Sequence, residues 1–287
     1  MATPQSETLV LNDPLGVVVH HGDAFQILDA MLEGFPDGRY DMIFADPPYF
    51  LSNGGITCSN GKMVPVNKGQ WDKSQGAERN HEFNKSWLRK CQRLLRPNGT
   101  IWISGTHHVI FSVGFAMQEL GYKILNQITW EKPNPPPNLS CRYFTHSTES
   151  IIWAGKNKDT KHVFNYQPMK QANNGKQMKT VWRWETDLWK QAAPLKAEKA
   201  HGKHPTQKPI ALIERCILAS TSPENSVLDP FMGSGTTGVA CARTGRAFTG
   251  IELDRAHMEV AVRRIKAELT ALPAKTTKYE VRPNHRA

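Results

Sequence analysis

The stretch from Ser226 to Glu252 constrains what this chain can fold into more tightly than any other part of it. An apolar strand, Ser226 to Asp229, runs into the turn Pro230-Phe231-Met232-Gly233-Ser234-Gly235-Thr236-Thr237, then a helical stretch to Thr244 and a second strand, Ala247 to Ile251. Glycines at a strand-to-helix junction let the backbone approach a ligand closely, and the helix beyond offers free amides to an anion. Glu252, at the tip of the second strand, stands where a doubly wound nucleotide fold keeps its ribose-binding carboxylate. No Gly-Lys-Ser/Thr follows and the spacing is not GxGxxG, which disfavours a nucleoside triphosphate or a dinucleotide.

A second strand-ending turn lies far upstream. The run Met42-Ile43-Phe44-Ala45 reads as a buried strand, so Asp46-Pro47-Pro48-Tyr49 falls at its carboxyl end, where open α/β sheets place their chemistry. Proline fixes its own φ and restricts the residue before it, so Asp46 and the Pro47 carbonyl become two aimed acceptors beside the Tyr49 ring. That corner suits a planar group bearing an NH2. An ordinary strand-ending turn is the alternative reading of the same four residues.

The remaining chain alternates. Strands are expected at Val17 to His20, Asp41 to Ala45, Thr100 to Ser104, Ile124 to Glu131 and Ser150 to Ala154. Helices are expected at Ala24 to Leu32, Glu82 to Leu95, Val109 to Leu120, Pro209 to Ser220 and Arg255 to Ala271. The pattern predicts an α/β fold, a mostly parallel central sheet with helices on both faces. Asp23 reads as the N-cap of the first helix. The glycine- and asparagine-rich segment Leu51 to Lys73 lacks periodicity and reads as a functional lid or as disordered chain. Cys58, Cys91, Cys141, Cys216 and Cys241 lie far apart with no CxxC pair, which argues against zinc or a disulfide framework, and no metal is expected. Cys216 and Cys241 fall in helical patterns as core residues. No long apolar run or leader pattern is present, so a soluble cytoplasmic protein without a membrane partner is expected.

Charge separates one region from the rest. The net formal charge is +10, and between Lys156 and Lys208 twelve Lys or Arg stand against four Asp or Glu. Phe164, Tyr166, Trp182, Trp184 and Trp189 interleave with them, a mixture that suits phosphates and bases; a solvated basic face over buried tryptophans is the other reading. The expected organisation is therefore 1–155 carrying the Asp46 corner, 156–202 a basic recognition insert with Lys176, Lys179 and Arg183 toward nucleic acid, 203–272 the ligand-binding half, and a basic disordered tail at 273–287.

DPPY near the start, Lys203-His204-Pro205-Thr206-Gln207-Lys208-Pro209, and then DPFMGSGTT together resemble the S-adenosylmethionine-dependent DNA amino-methyltransferases in the circularly permuted order called the β class. The resemblance runs from about Val17 to Leu269 and implies a Rossmann-like methyltransferase fold. It also implies that the C-terminal half packs beside an N-terminal edge strand, Val17 to His20. Phe50 to Gly55 and Asn138 to Ser147 are similar to GATC-methylating adenine enzymes of restriction-modification systems.

Carried over residue by residue, the resemblance makes Asp46, Pro47, Pro48 and Tyr49 catalytic, with Tyr49 stacking on a flipped base. It assigns the cofactor to Asp23, Ala24, Asp46, Thr206, Lys208, Asp229, Phe231, Gly233, Ser234, Gly235, Thr236, Thr237 and Glu252. Lys208 has competing readings as a helix-entry residue or a phosphate contact. Arg142, Tyr143 and His146 become candidate DNA contacts, and a homodimer and a partner restriction endonuclease are implied. Asp before the prolines favours adenine N6 as the target; cytosine-N4 enzymes usually carry Ser there and related RNA enzymes Asn. A nucleic-acid-binding module without turnover is the alternative of another class.

Overall fold

In the computed structural model, described over residues 6–271 apart from 13, 53, 55, 60–61, 66–68, 70–71, 133–134, 136, 139, 184–193, 195–197, 199, 201 and 203–206, strands and helices alternate along most of the chain. The elements are β1 (Glu7–Asn12), β2 (Val17–His21), α1 (Ala24–Gly34), β3 (Tyr40–Ala45), β4 (Ile56–Ser59), β5 (Lys62–Pro65), α2 (Ala77–Leu94), β6 (Leu95–Gly105), α3 (Ile110–Glu119), β7 (Lys123–Glu131), β8 (Thr148–Gly155), α4 (Tyr166–Ala172), β9 (Val181–Trp182), α5 (Ile210–Ser220), β10 (Ser226–Asp229), α6 (Thr236–Thr244), β11 (Ala247–Glu252) and α7 (Arg255–Ala271).

Nine strands form one sheet in the order β1-β2-β11-β10-β3-β6-β8-β7-β9. The five from β2 to β6 are mutually parallel, and β1, β8 and β7 add antiparallel neighbours at the two ends. Side chains alternate across a strand, so consecutive apolar residues feed opposite layers. Met42, Phe44 and Val227 pack with Ile213, Cys216, Ile217, Val239 and Ile265 of α5, α6 and α7. Ile43, Ala45, Leu228 and Ile251 pack with Leu28, Trp87, Leu88 and Val113 of α1, α2 and α3. This is why the central runs are apolar throughout: both faces of the sheet are covered.

Several expectations change. Val17 to His21 is not the edge, because β1 pairs outside it, Glu7 opposite His21 and Val10 opposite Val18. The aperiodic segment after DPPY contains a paired hairpin, β4 with β5, too short for its alternation to stand out. Helix α2 begins five residues early, at Ala77, because Gly76 at φ +97° supplies the turn into it. The basic segment is partly folded into the body: β9 pairs parallel to β7, Thr129 with Val181, and Trp182 is buried near the stacked rings of Trp102 and Trp153. For Trp182 the reading of a basic face over a buried ring is the correct one. Trp71, Trp184, Trp189 and the tail 273–287 lie outside the described residues. Cys91, Cys216 and Cys241 are buried free thiols, pushed up by that burial. Among the described residues no helix is long and apolar enough to cross a membrane, and no cluster of metal-ligating side chains occurs.

Candidate active site

Strands β3 and β10 are neighbours, with Val227 opposite Met42 and Leu228 opposite Ile43, so their terminal Asp-Pro corners open on the same end of the sheet. Between them lies a cavity of about 320 Å³. Asp46, Pro48, Lys208, Asp229, Phe231 and Glu252 line it, joined by Asp23, Ala24, Gly233, Ser234, Thr236 and Thr237. Residues separated by some two hundred positions thus meet because β10 and β11 insert beside β3.

Three donors from different parts of the chain reach Asp46. Its Oδ1 accepts from the Tyr49 hydroxyl at 2.7 Å and the Ser104 hydroxyl at 2.6 Å, and its Oδ2 accepts from Lys208 Nζ at 2.5 Å. Burial alone would raise the Asp46 carboxyl, but the adjacent Lys208 charge and these donors outweigh it and hold it below the usual carboxylate range. Lys208 is likewise penalised by burial and held above its ordinary value by Asp46 and Glu149. A buried lysine is not a phosphate contact, and that reading of Lys208 falls away. Tyr49 is only 7 % exposed and its phenol is raised well above the ordinary value, first by burial and then by Asp46. Its ring face is therefore not an open stacking platform; the hydroxyl is a ligand of Asp46.

Asp72 fixes the corner from behind. Fully buried, it accepts from the Tyr49 amide at 3.0 Å, the Leu51 amide at 3.1 Å and the Ser52 hydroxyl at 2.8 Å. Phe50, between them, takes the left-handed φ of +57°, and its ring joins Phe25, Phe83 and Phe231 in an aromatic wall.

At the second corner the hydrogen-bond donors are neutral. Asp229 Oδ1 accepts from the Phe231 amide at 3.0 Å and Oδ2 from the Thr237 hydroxyl at 2.5 Å, yet burial pushes its carboxyl up to about 7. Glu252 is also raised by burial, although its Oε2 accepts from the Gly233 amide at 2.9 Å. Gly235 sits at φ +75°, and a Cβ there would stand 2.7 Å from Ala261 Cβ, so the turn needs glycine twice over. Arg264 of α7 braces the same turn through the Ser234 carbonyl and hydroxyl. Asp23 caps α1 by accepting from the Gln26 amide at 3.1 Å, and also lines the cavity.

Thr206 lies outside the described residues. Tyr143 is 60 % exposed, with its ring beside His146, and His146 stacks on His107 at 4.4 Å. Arg142 is exposed in the same loop, as are Lys176 and Lys179 in the basic segment. Arg183 pairs with Glu131 at 3.2 Å. Missed by the sequence reading were Ser104, Asp72, Glu149, Phe25 and Phe83. Ser104 carried a signal, a lone hydroxyl closing the apolar run Ile101-Trp102-Ile103.

A doubly wound sheet with a glycine turn, a ribose-type carboxylate and an amine-holding corner on one cavity defines a group-transfer enzyme with a nucleoside cofactor. A family model for DNA methylases of the N6 and N4 type matches residues 40–263. The chain is 54 % identical over 253 residues to the type II methyltransferase M2.DpnII of Streptococcus pneumoniae, covering 88 % of this chain and 90 % of that protein. It is 50 % identical to M2.MboI of Moraxella bovis, over 86 % and 88 % of the two chains. Among solved structures, that of the M1.HpyAVI complex with S-adenosylmethionine aligns with a TM-score of 0.62 at 30 % identity, over 86 % of this chain and 97 % of that one. The cytosine-N4-specific PvuII methyltransferase shares the fold, TM-score 0.62 at 19 % identity over 86 % of each chain. The chain belongs to the DNA methylase family and is an S-adenosylmethionine-dependent DNA methyltransferase.

The cavity fits that cofactor on its own chemistry. Asp229, buried, and Glu252, half-buried, are acceptors that favour a ligand bringing positive charge and hydroxyl donors. Gln207 Oε1, in the same lining, is buried with no hydrogen-bond partner among the described residues. Phe25, Phe50, Phe83 and Phe231 give the same cavity an aromatic lining against which a flat ring can pack.

Proposed function

We propose that the enzyme methylates the exocyclic N6 of an adenine flipped out of DNA. The observation that carries this reading is Asp46, an ionised acceptor in the wall of the cofactor cavity with its geometry locked by Ser104, Tyr49 and Asp72. Adenine N6 is a poor nucleophile because its lone pair is delocalised into the ring. Asp46 and the Pro47 carbonyl, each accepting one N–H, favour a pyramidal nitrogen with its lone pair aimed along the line of displacement. S-adenosylmethionine, when bound, supplies the electrophilic methyl group. Glu252 would hold its ribose hydroxyls, Asp23 and Ala24 its adenine, and the turn from Asp229 to Thr237 its methionine end. Because Asp46 is held below the usual carboxylate range, it is ready to accept throughout neutral pH.

Flipping costs a few kcal/mol, and the loop with Arg142, Tyr143 and His146, together with Lys176, Lys179 and Arg183 of the basic insert 156–202, holds the duplex through phosphate and base contacts. The target lies within GATC, on the likeness of Phe50 to Gly55 and Asn138 to Ser147 to GATC-methylating adenine enzymes. A cognate restriction endonuclease and a homodimer complete the proposal, on the same likeness. Incubation with labelled cofactor and DNA of mixed sequence, followed by mass spectrometry of the nucleosides, is expected to give N6-methyladenine. N4-methylcytosine as the sole product would overturn the adenine assignment.

A further inference from the structure

Behind the Asp46 corner the buried charges continue. Lys208 Nζ, 2.5 Å from Asp46 Oδ2 and 3.3 Å from the Tyr49 hydroxyl, has Glu149 Oε2 on its other side at 3.8 Å. Glu149 is 8 % exposed, and its Oε1 is held by the Lys132 ammonium, which also sits over the Trp130 ring. Oε2, in contrast, has no hydrogen-bond partner among the described residues. A buried carboxylate oxygen left without a donor is costly, and here the Lys208 ammonium stands just beyond hydrogen-bonding distance.

Asp46 is in the opposite condition. Oδ1 is occupied by Tyr49 and Ser104 and Oδ2 by Lys208, so an arriving amine must displace a donor or share Oδ2 with a cation. Asp46 and Lys208 line the cavity and Glu149 does not. A shift of the ammonium toward Glu149 therefore withdraws it from the reaction space while keeping its charge paired.

We propose that Lys208 is a two-position positioning residue, resting on Asp46 until the target base arrives and passing to Glu149 Oε2 when the base's amino group takes its place on Asp46. This rests on the reading of an amine as substrate. The ammonium stands in for the substrate's N–H donors, and Glu149 is the acceptor that lets it leave.

The test is steady-state methylation of duplex DNA by the full chain and three variants: Glu149→Gln, Lys208→Met and the double substitution. Glu149→Gln is expected to raise the KM for DNA about tenfold or more, the effect of losing a charge-assisted bond, with S-adenosylmethionine affinity retained. Lys208→Met is expected to move the acid limb of the pH–rate profile upward, because a buried Asp46 without its cation titrates higher. The double variant is expected to recover the DNA KM lost in Glu149→Gln once the pH is raised, since the trapped ammonium is gone. Unchanged KM in Glu149→Gln, or a double variant no better than Glu149→Gln, would overturn the exchange. Glu149→Asp, which keeps the charge and shortens the reach, is expected to repeat the KM increase if the amide variant does not fold; an unchanged KM there also overturns it. Absence of any methylated amine with the wild-type chain would instead refute the function itself.

Discussion

Asp46 and Asp229 close neighbouring parallel strands with the same dipeptide, Asp-Pro, and face one cavity, yet one is held below the usual carboxylate range and the other lifted to about 7. Their hydrogen bonds do not explain the contrast, since each accepts from at least two donors. The difference is Lys208, whose ammonium bonds Asp46 directly, whereas Asp229 takes its hydrogen bonds from a hydroxyl and an amide and meets that charge only through space. Strand and proline give a carboxylate its position; a partner from elsewhere in the chain gives it its charge. One fold can thereby run an always-ionised acceptor beside one that changes protonation state near neutrality.

The largest effect that could break this contrast is on the Asp46 side. Asp46→Asn is expected to slow methyl transfer by about 100- to 1,000-fold, the usual consequence of removing one group aimed at the transition state, with cofactor affinity changed little in calorimetry. An equal loss in both measurements would mean that Asp46 serves binding rather than transfer. Next comes Asp72→Ala, which strands the Tyr49 and Leu51 amides and the Ser52 hydroxyl. A destabilisation of about 2–4 kcal/mol in denaturant unfolding is expected. On the other side of the comparison, Asp229→Asn should weaken S-adenosylmethionine binding about tenfold. The pH dependence sharpens the point: Asp229 ionises as pH rises through about 7, and a cationic ligand prefers the ionised form. The wild-type Kd should therefore fall between about pH 6 and 8, and the Asn variant should be flat over that range. The smallest effect is at the exposed lysines: Lys179→Ala should reduce the salt slope of duplex binding by about 0.9, as for one phosphate contact.

The two corners also differ in how much of them was readable. Asp46, Asp229 and Glu252 announce themselves because an acidic residue closing an apolar run has few structural uses, and proline or glycine beside it marks the turn. The central parallel strands were equally plain. Ser104, Asp72 and Glu149 were not, because each acts only through pairing across the sheet or through a loop folding back, and nothing within a few residues of them encodes the partner. Lys208 was assigned to the site, but its bond to Asp46 spans 162 positions and follows from topology alone. In the basic segment the charge was plain from composition, whereas the burial of Trp182 was not, because it follows from the pairing of β9 with β7 across the fold.

The sheet order carries a consequence for how the protein is made. Strands β2 and β3, adjacent in the chain, are held apart by β10 and β11, which arrive some two hundred residues later. During synthesis the centre of the sheet is therefore a gap bounded by two open strand edges, and open edges invite wrong pairing. The closure is non-local and correspondingly slow. It is also the step that brings Asp229 beside Asp46, so the site is complete only once the two C-terminal strands are in place.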